Sequence, residues 1–298
     1  MKKFGPNHWL SSHHDEIVEI LGADRVYNFQ ALRDILQNYR AGWKVPGSAT
    51  YEGLVVDLEN AKIVERVVLR TEDSSHMKVL YRTGSPPPTD IALGLHSGSY
   101  LCYITAAFLQ GLTLNIPKVV YVNKEQSDKP KPSSPLTQEA IDKAFASSRA
   151  RHTKMRFPYR DHLIILVNGK STGNAGVITL SVGDKKYPMT RPERTLVDLT
   201  VQPQYAGGIY QVLEAYERAK PDVSLARLGA LLGHLDYLYP YHQAVGFLLE
   251  KAGYPERDLA RFERFGMNYD FYLVRGAEKL SFDTRWRLYV PMGMEIDR

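Results

Sequence analysis

Apolar residues recur at helical spacing three times within the first ninety positions: Ile17, Ile20 and Leu21; Leu32, Ile35, Leu36 and Tyr39; Tyr51, Leu54, Val55, Leu58 and Ala61. Punctuation brackets each run. Ser12 stands three residues before Asp15 and Gly22 follows the first helix; Asn28 predicts the cap of the second, which Gly42 ends; Ser48 predicts the cap of the third. Beyond them, Ile63 to Arg70 and Met77 to Arg82 are rich in strand formers, and Glu72-Asp73-Ser74-Ser75 supplies a turn. Three helices and a hairpin, in that order, predict a winged helix-turn-helix over residues 1–85.

Gly84-Ser85-Pro86-Pro87-Pro88-Thr89 then interrupts the pattern, because consecutive prolines favour an extended chain, and a domain boundary is expected there. A second domain, 86–298, follows. Its signals alternate: a helix near Leu101 to Leu109, a strand at Val119 to Val122, a helix from Thr137, and strands at Leu163 to Val167 and Val177 to Ser181, read as a hairpin. Helices follow at Arg191, Gly208 to Ala219, Leu225 to Leu232 and Tyr241 to Ala252, with a last strand near Arg285 to Val290. The expected fold class is α+β, the second domain having a small sheet covered by helices.

With 298 residues, 44% hydrophobic and 24% charged, the chain has the composition of a globular protein large enough for two cores. The single cysteine, Cys102, excludes an internal disulfide and a cysteine-only metal site, and reads as a buried apolar side chain. Residues 1–8 lack an apolar core of signal-peptide length, and no stretch approaches the roughly 20 apolar residues of a membrane span, so a cytoplasmic protein without a membrane partner is expected. The net charge of +5 permits a polyanionic partner. Up to Asp90 there are 11 Lys or Arg against 12 Asp or Glu; the remainder carries 27 against 21, including the acid-free run Arg149, Arg151, Lys154, Arg156, Arg160.

The most distinctive string is Thr190-Arg191-Pro192-Glu193-Arg194-Thr195-Leu196-Val197-Asp198-Leu199, followed by Pro203-Gln204-Tyr205-Ala206-Gly207-Gly208. Thr190 and Glu193 have capping-box spacing, with Pro192 where a missing N–H is harmless. Arg191 and Arg194 fall in the first turn, where the macrodipole disfavours cations by about 0.3–1 kcal/mol, which points to a role outside helix stability. This string resembles the signature of the AbiEi-type antitoxins, regulators paired with nucleotidyltransferase-like toxins. Two further blocks are similar to the family pattern: Gly98-Ser99-Tyr100-Leu101 with Ala106-Ala107, Gly111-Leu112-Thr113 and Ile116-Pro117; and Asn168-Gly169-Lys170-Ser171-Thr172-Gly173 with Gly176-Val177. The resemblance implies a repressor that binds repeats upstream of its own operon and counteracts a toxin, often without a stable complex.

In a winged helix the third helix enters the major groove, so Ser48, Ala49, Thr50 and Gly53 are candidate base readers, and none of them offers a bidentate fork. Arg40, Lys44, Lys62, Arg70, Lys78 and Arg82 are candidate phosphate contacts, and Arg149, Arg151, Lys154 and Arg156 of the basic run a second DNA contact from the larger domain. Glu52, Asp57 and Glu59 argue against a duplex. Trp43 reads as an anchor between helices, and Tyr237, Tyr239 and Tyr241 as core. Lys170, Arg191, Glu193, Arg194, Asp198 and Tyr205 are the candidate antitoxin residues; with the arginines exposed, removing Arg191 and Arg194 should impair neutralisation and leave folding nearly intact.

Gly169-Lys170-Ser171-Thr172 looks like the end of a phosphate-binding loop, yet the earlier glycine such a loop needs is replaced by Ile164. The nine histidines match no zinc spacing, and Asp270 with Glu278-Lys279 lacks an acid-x-lysine arrangement. No metal, cofactor or catalytic residue is expected. Two alternatives stand beside the repressor: a kinase-like enzyme that modifies the toxin, and a winged-helix protein that grips a protein partner instead of DNA.

Overall fold

The computed structural model describes residues 8–128, 135–147 and 153–296. The chain begins with α1 (His8–Ser12), α2 (His14–Leu21), β1 (Val26–Tyr27), α3 (Phe29–Tyr39), α4 (Tyr51–Asn60), β2 (Glu65–Arg70), β3 (Met77–Arg82) and α5 (Pro88–Gly94). Next come β4 (Tyr100–Leu101), α6 (Tyr103–Leu109), β5 (Val119–Glu125), α7 (Gln138–Phe145), β6 (Arg156–Tyr159), β7 (His162–Gly169), β8 (Val177–Val182) and β9 (Lys185–Thr190). The remainder is α8 (Pro192–Val201), a 3-10 turn (Pro203–Tyr205), α9 (Ile209–Arg218), α10 (Leu225–Leu235), α11 (Tyr241–Lys251), α12 (Glu256–Glu263), β10 (Phe271–Tyr272), β11 (Leu280–Asp283) and β12 (Leu288–Pro291). The fold is mixed α and β, with helices early and three small sheets.

Two compact units form, one from the chain through Ser99 with Lys154–Leu166, the other from Tyr100–Thr153 with Val167 onward. In the first, α2, α3 and α4 close over Ile17, Leu21, Leu32, Leu36, Leu54, Val55 and Leu58. Trp43 stacks 5.0 Å from Tyr39 and 6.2 Å from Trp9, anchoring the α3–α4 connection as expected. Asn28 accepts from the Ala31 N–H and caps α3. The cap of α4 is Thr50, which accepts from the Gly53 N–H, instead of the expected Ser48: Gly47 and Ser48 form a turn closed by the Ala49 N–H on the Pro46 carbonyl, and Arg40 holds it by donating to the carbonyls of Pro46, Gly47 and Ala49. Likewise Ser12 ends α1, and α3 stops at Tyr39, before Gly42.

Strand order in the first sheet is β1-β3-β2. Pleating gives the β2–β3 hairpin two distinct faces. Val67, paired with Leu80, and Leu69, paired with Lys78, line one; Val79 and Tyr81, opposite Val68 and Arg66, turn the other toward the helical core. The triple proline opens α5 within this unit: Pro87 is its cap and Pro88 its first residue, where the missing N–H has no intrahelical role. A short antiparallel pair, β6 with the start of β7, belongs here too, and the Glu72 N–H donates to the Arg156 carbonyl.

In the second unit β4 pairs antiparallel with β5 and parallel with β9, which pairs antiparallel with β8. The hairpin expected between Leu163–Val167 and Val177–Ser181 therefore does not form. The partner of β8 is β9, a strand hidden from sequence reading by two lysines and Pro188. α8 is buried from Glu193 through Thr200 and packs against α6, α9, α10 and α11. The β10-β12-β11 sheet closes the unit against α11, where a Cβ on Gly246 would lie 2.0 Å from a carbon of the Trp286 ring and clash with it.

Candidate functional site

The site residues expected from sequence lie on α4, on the β2–β3 hairpin and around α8. On α4, the core stripe Leu54, Val55 and Leu58 leaves Glu52, Gly53, Val56 and Asn60 facing solvent. Parity along β2 puts Arg66, Val68 and Arg70 on the hairpin face that turns toward the helices, with Met77 opposite Arg70. Arg66 and Arg70 are exposed, and neither makes a hydrogen bond or ion pair with a described residue. Arg66 was missed from sequence, although the alternation of Arg66, Val68 and Arg70 against buried Val67 and Leu69 carries the signal.

The remaining DNA candidates disperse. Lys44 and Lys62, both at positive φ in turns, and Ser48 are exposed, whereas Ala49 is half-buried. Arg40 holds the α3–α4 loop and stacks 5.4 Å from the Tyr51 ring. Lys78 lies on the hairpin face opposite Arg70, beside Leu69. Arg82 pairs across the strands with Glu65 at 2.5 Å. Arg149 and Arg151 fall outside the described residues; Lys154 is exposed, and Arg156 pairs with Glu72 at 2.6 Å, inside the hairpin's own unit instead of the larger one.

Of the antitoxin candidates, Glu193, Arg194, Asp198 and Tyr205 are buried in the second unit, Arg191 is half-buried and Lys170 is exposed. Arg194, 5% exposed, donates to Asp198 at 2.7 Å, to the Ala175 carbonyl at 2.6 Å and to the Thr172 hydroxyl at 3.3 Å. It is a core residue, and the expectation of an exposed arginine is corrected. A cation in a helix's first turn is accommodated because its partner sits one turn on in the same helix. Burial pushes the Asp198 carboxyl up, and Arg194 opposes that rise. Glu193, 2% exposed, accepts from the Ser224 N–H and Arg227, so the capping box with Thr190 does not form; Thr190 instead meets the Thr195 hydroxyl at 2.7 Å. Arg191 is half-buried, 3.9 Å from Glu193. Tyr205 packs edge-on against Tyr103 at 4.9 Å and tilted against Tyr121 at 4.8 Å.

The loop after β7 explains the phosphate-loop likeness. Glu125 accepts from the Thr172 N–H at 2.8 Å, the Asn174 N–H at 3.2 Å, the Thr172 hydroxyl and the Tyr100 hydroxyl at 3.0 Å. An internal carboxylate thus occupies the amides that a phosphate would need. Burial alone would raise the Glu125 pKa, but these donors hold it below the usual carboxylate range. Lys170 points elsewhere, donating at 2.9 Å to the Leu235 and Asp236 carbonyls and so capping the end of α10.

Tyr237, Tyr239 and Tyr241 pack against one another and Phe271. A cavity of about 260 Å³ is lined by Phe145, Thr200, Tyr241 and Arg275, among others, and Arg275 lies 4.0 Å over the Phe145 ring. Burial pushes the Cys102 thiol well up, consistent with an inert core residue. Among the described residues no group of His, Cys, Asp and Glu could hold a metal, and no helix is long and apolar enough to cross a membrane.

No family model and no curated protein matches the chain. Among solved structures, it is similar to the RV2827C protein from Mycobacterium tuberculosis, with a TM-score of 0.56 and 13% identity, over 95% of this chain and 91% of that one. At that identity the likeness is one of fold.

Proposed function

We propose that the protein is a cytoplasmic transcriptional repressor that binds the operator of its own operon as duplex DNA, and that it is the antitoxin to a nucleotidyltransferase-like toxin. The observation that carries the DNA reading is the placement of Arg66 and Arg70 on the hairpin face turned toward the helical layer, in the unit where α4 exposes a solvent stripe. Such a pair of surfaces suits a helix in the major groove and a wing on the backbone. Arg66, Arg70, Lys44 and Lys62 would set affinity and its salt dependence. The antitoxin reading rests on the resemblance of three ordered sequence blocks to the AbiEi family.

The buried positions of Arg194, Asp198 and Tyr205 assign the strongest of those blocks to holding the second unit together. The kinase-like alternative drew its support from the Gly169–Thr172 loop, whose amides Glu125 occupies. A gel shift of the full chain on the region upstream of its gene, across a salt series, tests the DNA reading; no binding at low salt favours the protein-gripping alternative. The antitoxin reading is tested by sequencing the adjacent reading frames for a nucleotidyltransferase-like product and measuring growth rescue on co-expression with it; the absence of such a frame, or of rescue, overturns it.

A further inference from the structure

The outward stripe of α4 carries unusual chemistry for a groove-reading helix. Val56 is 49% exposed, whereas Leu54, Val55 and Leu58 beside it are 1–2% exposed. Glu52 is exposed and has no hydrogen-bond partner among the described residues. Between them Gly53 contributes no side chain, and the Thr50 hydroxyl is engaged by the Gly53 N–H. Asn60 lies at the far end of the helix, about 12 Å from Glu52 at 1.5 Å per residue. In the N-terminal half of α4, the part of a recognition helix that meets base edges, the working surface is therefore one carboxylate and one aliphatic group, four residues apart on the same face.

A carboxylate accepts only, so on a major-groove edge it meets an amine, and cytosine N4 suits it better than adenine N6 because adenine's neighbouring N7 is itself an acceptor and repels a carboxylate; an aliphatic group meets the thymine methyl. Residues four apart on a helix are separated by about 6 Å, and bases along one strand by about 3.4 Å, so the two side chains span about two base steps. The occupant is argued from charge: Arg66 and Arg70, exposed and in no side-chain hydrogen bond or ion pair with a described residue, supply the cations a duplex backbone requires. Resting on the DNA reading above, we infer that α4 reads pyrimidines, a cytosine through Glu52 and a thymine through Val56, within about two steps of each other. Glu52 is also repelled by phosphates, so it sharpens selectivity while lowering general affinity.

The test is selection of the full chain on a random duplex pool, run in parallel for the wild type, Glu52→Ala and Val56→Ala. The wild type should enrich a site containing C and T within two steps. Glu52→Ala should flatten the preference at the C alone and bind unselected duplex more tightly; Val56→Ala should flatten it at the T alone. Replacing that T by deoxyuridine should weaken wild-type binding about fivefold and leave Val56→Ala unchanged. Identical enriched sites for all three proteins overturn the inference and leave the DNA reading intact. Absence of any enrichment, with no binding at low salt, overturns both.

Discussion

Arg194 and Asp198 each have side chains 7% exposed, so removing one leaves the other charged and unpaired in the interior. Arg194→Met should therefore cost about 3–5 kcal/mol, read as a lower urea midpoint, while Arg194→Met with Asp198→Leu should recover much of the loss. Arg191→Ala, at a half-buried site 3.9 Å from its acid, should stay within about 0.5 kcal/mol. The sequence expectation joined the two arginines; burial separates them. Glu125 carries a pH dependence of definite sign. Its folded pKa lies below the unfolded one, so its contribution is full above the ordinary carboxylate range near pH 4 and is lost as pH falls through the lowered value. Stability should decline more steeply below about pH 4 in the wild type than in Glu125→Gln, and amide exchange at Thr172 and Asn174 should report it first.

At the scale of elements, α4 and the hairpin make separable predictions. Thr50→Ala removes the cap and should destabilise the first unit by about 1 kcal/mol, whereas Ser48→Ala should be silent. Pattern reading found both α4 and the need for a hydroxyl cap, but the Arg40 clamp that moves the start by two residues is a contact nine positions long and invisible locally. On the hairpin, Arg66→Ala and Arg70→Ala should each reduce the slope of log affinity against log salt by about one, and Lys78→Ala on the opposite face should not. Equal effects from all three would mean the hairpin approaches DNA by its tip or not at all. The strand pairing of β8 shows the limit of local reading: two runs with strand character close in sequence suggest a hairpin, yet β9 wins because its partner is decided by the whole sheet.

For the whole molecule, the consequential finding is that Lys154–Leu166 joins the unit built from the chain's beginning. Lys154 and Arg156, expected as a second DNA contact on the larger domain, instead belong with the hairpin, where Arg156 neutralises Glu72 near the turn. On the proposed DNA reading, Arg156→Ala leaves Glu72 unpaired beside the hairpin turn and should weaken binding in the same gel shift that reports Arg70→Ala, without altering the stability of the second unit. The sequence alone determined the early helices, the hairpin, the α+β class and the cap at Asn28, because these follow from periodicity and from hydrogen bonds within a few residues. Only the tertiary structure decided that Arg194 is interior, that Glu125 fills the loop resembling a phosphate site, and that the face Arg66 shares with Arg70 is the one turned toward the helices. Those outcomes depend on desolvation and on partners 19 to 49 residues away or on the side of a sheet that meets the core, and neither is encoded in any local window.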